Sequence, residues 1–143
     1  MQSETIRLVI VDDHQMVRET WKMLLHQQAG IEVIQECASG AEAISVAPSL
    51  NPHVMLMDIN MAPVNGFEAT RKIMRQCPHI RIIGVSVNNQ PGYARNMMQL
   101  GARGYVTKNS SQEEMVRAIH EVMQGRTYVC QEVLERMNKD SEW

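Results

Sequence analysis

Four stretches of this 143-residue chain end in polar residues that could together bind a divalent cation and a phosphate group. Asp12 and Asp13 follow the first apolar run, Asp58 ends a later one, and Ser86 and Lys108 follow two others. If folding brings these residues together, their three carboxylates repel each other by several kcal/mol at an effective dielectric constant of about 20. The Lys108 ammonium group supplies one compensating charge, and a hard divalent cation such as Mg²⁺ could supply the rest.

The same groups are suited to phosphoryl transfer. A carboxylate beside Mg²⁺ can attack phosphorus as a nucleophile and form an aspartyl phosphate. An ammonium group and a hydroxyl group, here those of Lys108 and Ser86, can hold the phosphoryl oxygens while charge moves between them. Each residue taken alone has an ordinary explanation, as a helix cap, a turn residue or a solvated side chain, so the prediction depends on their convergence.

Five alternating strands and helices would bring these residues together. Short apolar runs predict strands at 6–11, 31–37, 53–58, 81–87 and 104–107. Between them, apolar residues recur at helical spacing, and Pro48 and Pro78 are predicted to end the second and third helices. Such alternation predicts an α/β doubly wound parallel sheet with helices on both faces. Functional groups of this fold class collect at the carboxyl ends of the strands.

The last part of the chain predicts a shorter element. A helix with an acidic first turn is predicted to end near Gly125, and residues 126–129 are interpreted as the start of a linker. Residues 131–137 are patterned as one or two further helical turns. We therefore divide the chain into a domain at 1–125 and a C-terminal linker and helix at 126–143.

Composition excludes several classes of protein. The 14 Lys and Arg residues against 16 Asp and Glu residues give a net charge of −2, without the cationic excess that nucleic-acid binding needs. Hydrophobic residues make up 44% of the chain, which indicates a globular fold. Three cysteines without CxxC spacing argue against disulfides or a zinc cluster and favour a cytoplasmic location. No apolar run reaches the roughly 18 residues of a membrane span, so no membrane partner is expected.

Six motifs along the chain carry a resemblance to a known family. In order, they are VDDH, LMDINM, NGFEAT, GVS, GARGYVTKNSS and EEMVRAIHEVMQG. On these motifs the chain resembles the receiver domain of two-component response regulators, most of all receivers of LuxR-type transcription regulators, over about residues 6–125. The resemblance implies a flavodoxin-like fold whose five-stranded sheet has the order 2-1-3-4-5. It also implies phosphorelay signal transduction, with transcription controlled through a DNA-binding helix-turn-helix domain that is not in this chain.

The resemblance implies a role for each residue at the strand ends. Asp58 would accept a phosphoryl group from a sensor histidine kinase. Asp12 and Asp13 would hold Mg²⁺, together with Asp58 and the main-chain carbonyl group of Asn60. The chain would then be a phosphoacceptor signalling domain and not an enzyme, although it could assist its own phosphorylation and dephosphorylation.

The resemblance also implies a conformational switch. Ser86 and Lys108 would bind the phosphoryl group, and Tyr105 would turn inward as Ser86 moves. The alternative for Tyr105 is a half-buried packing residue whose hydroxyl group contacts water. The surface of the fourth helix, fifth strand and fifth helix would then change, and a partner or a second copy of the chain, in a homodimer, would contact it. The expected members of this surface are Tyr93, Arg95, Met97, Met98, Arg103, Tyr105 and Arg117.

Three positions depart from the family pattern. Asn109 stands where a proline in a cis peptide bond often follows the lysine, and we expect a trans bond because a non-proline cis bond costs about 3 kcal/mol. Ala62 displaces the family's proline by one position. Val87 stands where a smaller side chain is usual and could crowd access to Asp58.

Two other functions stay open. A pseudo-receiver scaffold would bind partners without phosphorylation. The intact set of acids argues against it, and the departures at Asn109 and Val87 keep it open. A Mg²⁺-dependent phosphatase with an aspartate nucleophile is disfavoured, because Asn60 stands where haloacid-dehalogenase-like enzymes have their second acid. A nucleotide-binding enzyme is weaker still, since the glycine-rich phosphate motifs are absent from the sequence. His14, beside the acidic pair, is interpreted as an exposed residue that begins the first helix.

Overall fold

The computed structural model describes residues 5–141, which form six strands and six helices in alternation. The strands are β1 (Ile6–Val11), β2 (Ile31–Cys37), β3 (Val54–Asp58), β4 (Arg81–Ser86), β5 (Gly104–Thr107) and β6 (Tyr128–Val129). The helices are α1 (Gln15–His26), α2 (Gly40–Leu50), α3 (Gly66–Gln76), α4 (Pro91–Gln99), α5 (Gln112–Met123) and α6 (Gln131–Ser141). Neighbouring strands are all parallel, in the order β2-β1-β3-β4-β5-β6.

The central strands are apolar because helices cover both faces of the sheet. Every residue of β3 is buried, as are the last four residues of β1 and the last five of β4. Helix α1 contacts α5, whereas α3 contacts both α2 and α4, so the helices form two layers. Continuous burial of this kind is typical of parallel sheets, and the predicted α/β doubly wound architecture is confirmed.

Three helices begin at residues whose side chains cap them. Ser39, Asn65 and Ser111 each accept a hydrogen bond from the backbone N–H group three residues later. These caps satisfy backbone donors that have no partner inside the helix. They fix where α2, α3 and α5 begin, and therefore how long the loops are at the carboxyl edge of the sheet.

The sheet has six strands, so the predicted number of five is wrong, although the predicted order of the first five is confirmed. Strand β6 lies in the stretch that the sequence assigns to a linker. Tyr128 is paired with Gly104, and Val129 with Tyr105. Two residues are too few to show the alternating pattern from which strands are predicted, and the outer edge of β5 supplies the pairing.

Two helices extend further than predicted. Helix α2 continues through Pro48 to Leu50, so the prediction that Pro48 ends this helix is wrong. The proline removes one backbone donor, and the helix ends instead where Asn51 adopts a left-handed conformation with φ of 46° and donates its N–H to the carbonyl oxygen of Ala47. Helix α6 spans 11 residues, more than the one or two turns predicted.

The residues that follow α5 pack against the sheet, and we call residues 126–141 the C-terminal segment. Cys130 and Val133 are fully buried, and α6 contacts α4. The backbone N–H of Cys130 donates to the carbonyl oxygen of Tyr105 at 3.0 Å. Within residues 5–141, no helix has the length and apolar composition needed to cross a membrane.

The close approach of α3 to the end of β3 depends on a glycine. A Cβ atom on Gly66 would lie 2.3 Å from the carbonyl oxygen of Asp58 and 2.7 Å from the Cα of Ile59. Because backbone atoms cannot rotate away, we expect Gly66→Ala to lower the free energy of unfolding by at least about 1–3 kcal/mol. Urea denaturation measures this loss.

Gly92 in α4 provides the matched control. A Cβ atom there would meet nothing within 4 Å, so we expect Gly92→Ala to leave stability unchanged or to raise it by less than about 1 kcal/mol. Equal midpoints for the two variants would contradict the close packing of Gly66 against β3.

Candidate functional site

Four residues at the carboxyl ends of β1 and β3 form an acidic cluster. Asp12 and Asp13 follow β1, His14 precedes α1, and Asp58 is the last residue of β3. One ligand atom from each lies within 4.8 Å of the others. Asp12 and Asp58 are only 3% and 1% exposed, because β1 and β3 are adjacent inside the sheet. The structure thus brings the three predicted carboxylates together.

Lys108 reaches this cluster from the end of β5. Its Nζ atom lies 2.9 Å from Oδ2 of Asp12 and 3.4 Å from Oδ1 of Asp58. Its backbone N–H donates to the carbonyl oxygen of Ser86 at 2.8 Å, so strand pairing sets its position. Burial acts to lower the pKa of Lys108, but the hydrogen bond to Asp12 and the charge of Asp58 outweigh burial and raise this pKa.

Asp58 has one engaged and one free carboxylate oxygen. Oδ1 accepts a hydrogen bond from the backbone N–H of Asn60 at 3.3 Å and faces Lys108. Oδ2 is buried and has no hydrogen-bond partner among the described residues. Burial, and next the negative charge of Asp12, raise the pKa of Asp58 to about 6. A buried carboxylate oxygen without a donor is unusual, and it indicates a position for a ligand.

The cluster fits a hard divalent cation. Carboxylate oxygens are the ligands such ions prefer, and Asp12, Asp13 and Asp58 each offer one within 4.8 Å of the others. The ammonium group of Lys108 balances only one of the three carboxylate charges when all are ionised. The acidic cluster could therefore bind a metal ion.

Ser86, fully buried at the end of β4, links the loops that follow β3 and β4. Its hydroxyl group donates to the side-chain oxygen of Asn60 at 2.9 Å. It also accepts from the backbone N–H of Asn88 at 3.0 Å. A continuous series of hydrogen bonds therefore leads from Asp58 through Asn60 and Ser86 to the loop before α4.

Tyr105 is fully buried in β5, so the alternative of a half-buried ring with a water-exposed hydroxyl group is wrong. Its hydroxyl group donates to the carbonyl oxygen of Asn88 at 2.6 Å. Burial raises the pKa of Tyr105 to about 12. The ring thus points inward, and its hydroxyl group is hydrogen-bonded to Asn88, the loop residue that also bonds to Ser86.

His14 is exposed and occupies the N-cap position of α1, which confirms its interpretation as the residue that begins the first helix. Its contact with the acidic pair is an addition that the sequence does not predict. Nδ1 lies 3.0 Å from Oδ1 of Asp13 and 3.2 Å from Oδ1 of Asp12. The backbone N–H of His14 also donates to Oδ1 of Asp12 at 2.8 Å, so local turn geometry places the ring there.

A family model of the response regulator receiver domain matches residues 8–120. The chain belongs to this family. Response regulator GacA of Pseudomonas protegens is 36% identical over 132 residues, which cover 92% of this chain and 62% of GacA. Response regulator UvrY of Escherichia coli is 34% identical over 132 residues, which cover 92% of this chain and 61% of UvrY. A solved two-component response regulator of the LuxR family, from Aurantimonas, has a TM-score of 0.93 at 30% identity, covering 98% of this chain and 100% of that one.

These similarities make the chain a response regulator receiver domain, a module of phosphorylation-based signalling. The chain spans about three fifths of the length of the curated relatives it matches. In response regulators the receiver is a signalling domain. In this receiver the acidic cluster lies at the carboxyl ends of β1 and β3.

Two of the receiver's departures from the family pattern lie at the rim of the site. The bond between Lys108 and Asn109 is trans, as predicted, since the cis bond within the described residues is Ala62–Pro63. Val87 is 69% exposed, so its side chain extends into solvent.

The predicted interaction face of the receiver is only partly exposed. Its expected members Met97 and Tyr105 are fully buried, so their assignment to an exposed face is wrong. Strand β6 pairs with the outer edge of β5, and α6 packs against α4. The C-terminal segment therefore covers part of this face, while Arg95 and Arg117 remain exposed.

Sequence reasoning missed one acidic residue that the receiver holds near the site. Glu132 of α6 accepts hydrogen bonds from the side chains of Thr107 at 2.8 Å and Asn89 at 2.7 Å. In the sequence, Glu132 has the ordinary place of an acid in the first turn of a helix. No local signal distinguishes it, because its partners are 25 and 43 residues away.

The raised pKa of Asp58 predicts a pH-dependent stability difference. Because this pKa rises from 3.8 to about 6 on folding, Asp58 stabilises the fold fully below pH 3.8, and the stabilisation is lost as the pH rises through 6. Asn does not ionise, so Asp58→Asn removes this pH-dependent loss of stability. The unfolding free energy of the variant minus that of the native chain should therefore rise by about 2 kcal/mol between pH 4 and pH 7.

Urea denaturation at several pH values, in the presence of a metal chelator, measures this difference. The titration of groups that are not coupled to Asp58 occurs in both proteins and cancels. A difference that stays constant from pH 4 to pH 7 would contradict the burial of an ionisable Asp58.

Proposed function

We propose that Asp58 accepts a phosphoryl group from a sensor histidine kinase and that the receiver then changes conformation. The observation that carries the proposal is the buried, unpartnered Oδ2 of Asp58 beside the Lys108 ammonium group. Oδ2 supplies the electron pair of the new P–O bond. The P–N bond to the kinase histidine breaks, and its electron pair remains on the imidazole nitrogen.

In this proposal, Asp12, Asp13 and Asp58 hold Mg²⁺ together with the main-chain carbonyl group of Asn60. When bound, the ion neutralises charge on the phosphoryl oxygens and the attacking carboxylate. Lys108, which lies 2.9 Å from Asp12 and 3.4 Å from Asp58, supplies the second positive charge. Its position is fixed by β5 before the phosphoryl group arrives, so little reorganisation is needed.

Ser86 connects phosphorylation to the rest of the molecule in this proposal. Its hydroxyl group is bonded to Asn60 and must turn away to donate to a phosphoryl oxygen. Because Asn88 donates to Ser86 and accepts from Tyr105, the turn disturbs both contacts. Tyr105 thus serves as the switch that senses the position of Ser86.

The wider roles rest on the family. We propose that residues 1–125 act as the receiver and that 126–143 lead toward a helix-turn-helix domain that binds DNA and controls transcription, in the cytoplasm. A second copy of the chain would contact the face of α4, β5 and α5. In this structure the C-terminal segment covers part of that face, so dimerisation through the covered part requires the segment to move.

Phosphorylation of Asp58 is tested by incubation with acetyl phosphate and Mg²⁺. We expect the intact mass of the chain to increase by one phosphoryl group and Asp58→Asn to remove at least about nine tenths of this labelling, because the amide is not a nucleophile. Asp13→Asn should slow the labelling by weakening the metal site.

Glu19→Gln is the matched control, since Glu19 is an exposed acid on α1 outside the cluster, and we expect it to be labelled like the native chain. Labelling of the Asp58→Asn variant would show a different acceptor. An unlabelled native chain, alongside a labelled reference receiver, would favour the phosphorylation-independent scaffold.

A further inference from the structure

The C-terminal segment contacts the end of β5 and the loop before α4, and both of these also belong to the phosphorylation site. We infer that Glu132 is the residue that fastens this segment to β5 and the loop before α4, and that phosphorylation of Asp58 loosens it. The occupant of the α4–β5 surface in this structure is therefore the chain's own segment, held by a contact that the site controls. The second half of this inference rests on the proposed function; the fastening role of Glu132 does not.

Both carboxylate oxygens of Glu132 are used. Oε1 accepts from the hydroxyl group of Thr107 at 2.8 Å, and Oε2 accepts from the side-chain amide of Asn89 at 2.7 Å. Thr107 is fully buried, so its hydroxyl group depends on this partner inside the protein. Hydrogen bonds to a charged acceptor are stronger than those between neutral groups.

The two donors to Glu132 belong to two different parts of the phosphorylation site. Thr107 immediately precedes Lys108, the cation of the cluster. Asn89 immediately follows Asn88, whose N–H donates to Ser86 and whose carbonyl oxygen accepts from Tyr105. Glu132 therefore joins the end of β5 to the loop that moves with Ser86, and it keeps both bonds only while these two parts hold their present spacing.

A separate acid fastens the segment on the side of α5. Oε2 of Glu114 accepts from the hydroxyl group of Tyr128 and from the backbone N–H of Gln131, each at 2.9 Å. Among the described residues, no side-chain hydrogen bond joins Tyr128 or Gln131 to the loop before α4. The segment thus has one fastening that is linked to the phosphorylation site and one that is not, which supplies a matched control.

The C-terminal segment has limited strand pairing and burial, so loss of the Glu132 hydrogen bonds can release it. Strand β6 contributes only two residues of pairing, and the fully buried apolar contacts of the segment include Cys130 and Val133. Short elements with few buried contacts open locally at much lower free energy than the central strands do. Loss of one charged fastening therefore shifts the population of the open segment measurably.

Hydrogen–deuterium exchange of the full chain, read by mass spectrometry on peptides from residues 126–139, tests the inference. Exchange is measured before and after acetyl phosphate with Mg²⁺, and intact mass reports phosphorylation in the same sample. In the native chain we expect phosphorylation to speed exchange of these peptides by at least about fivefold. Glu132→Ala should give the fast exchange without phosphorylation, and phosphorylation should then add little.

Glu114→Ala is the control for general loosening. It should speed exchange in both states while keeping the increase caused by phosphorylation, because the fastening at Glu132 remains. Asn89→Ala, which removes only the donor from the loop, should behave like Glu132→Ala in weaker form. It replaces that variant if Glu132→Ala does not fold.

The outcomes separate this inference from the proposed function. A chain that gains no phosphoryl mass contradicts phosphorylation of Asp58, and fast exchange in unphosphorylated Glu132→Ala still supports the fastening role. A phosphorylated native chain with unchanged exchange at 126–139 overturns the release. An equal increase on phosphorylation in the native chain and Glu132→Ala overturns control through Glu132.

Discussion

The burial of two carboxylates on adjacent strands is the constraint on which the rest of the site depends. Asp12 and Asp58 end β1 and β3, so the strands that form the core also remove these carboxylates from water. Burying like charges together is costly unless cations compensate them. Lys108 compensates in part, yet burial and Asp12 still hold the pKa of Asp58 near 6. The remaining demand for positive charge is what suits this edge of the sheet to a cation.

The same constraint explains why the site and the switch share atoms. Lys108 is positioned by its backbone bond to Ser86, and Ser86 is bonded in turn to Asn60 of the acidic loop. Ser86 is fully buried and its hydroxyl group is bonded to both Asn60 and Asn88, so it cannot turn without breaking one of these contacts. A chemical change at Asp58 is therefore coupled to the loop of Asn88 by hydrogen bonds already present.

The fold and the site could be predicted from the sequence to different extents. Asp58 follows a continuously apolar strand, so its place at the carboxyl edge follows from the pattern and the topology rules. The resemblance implies an inward Tyr105, but its bond to Asn88 could not be predicted, because the partner is a backbone carbonyl group with no sequence signature. Strand β6 and the contacts of Glu132 could not be predicted for a related reason. A two-residue strand has no periodicity, and Glu132 meets its partners only after the chain has folded back across the sheet.

The C-terminal segment covers part of the α4–β5 surface. An uncovered β5 would expose an unpaired strand edge, which other chains can extend, and β6 covers that edge. A tethered segment has an effective concentration on the order of millimolar. A second copy that binds the same surface with similar intrinsic affinity, at a lower concentration, is outcompeted unless the fastening of the segment weakens. Glu132 links the segment to the loop of Asn88 through its bond to Asn89. Under the roles proposed for Asp58 and Glu132, phosphorylation would therefore act at this contact to decide whether the segment or a second copy occupies the surface.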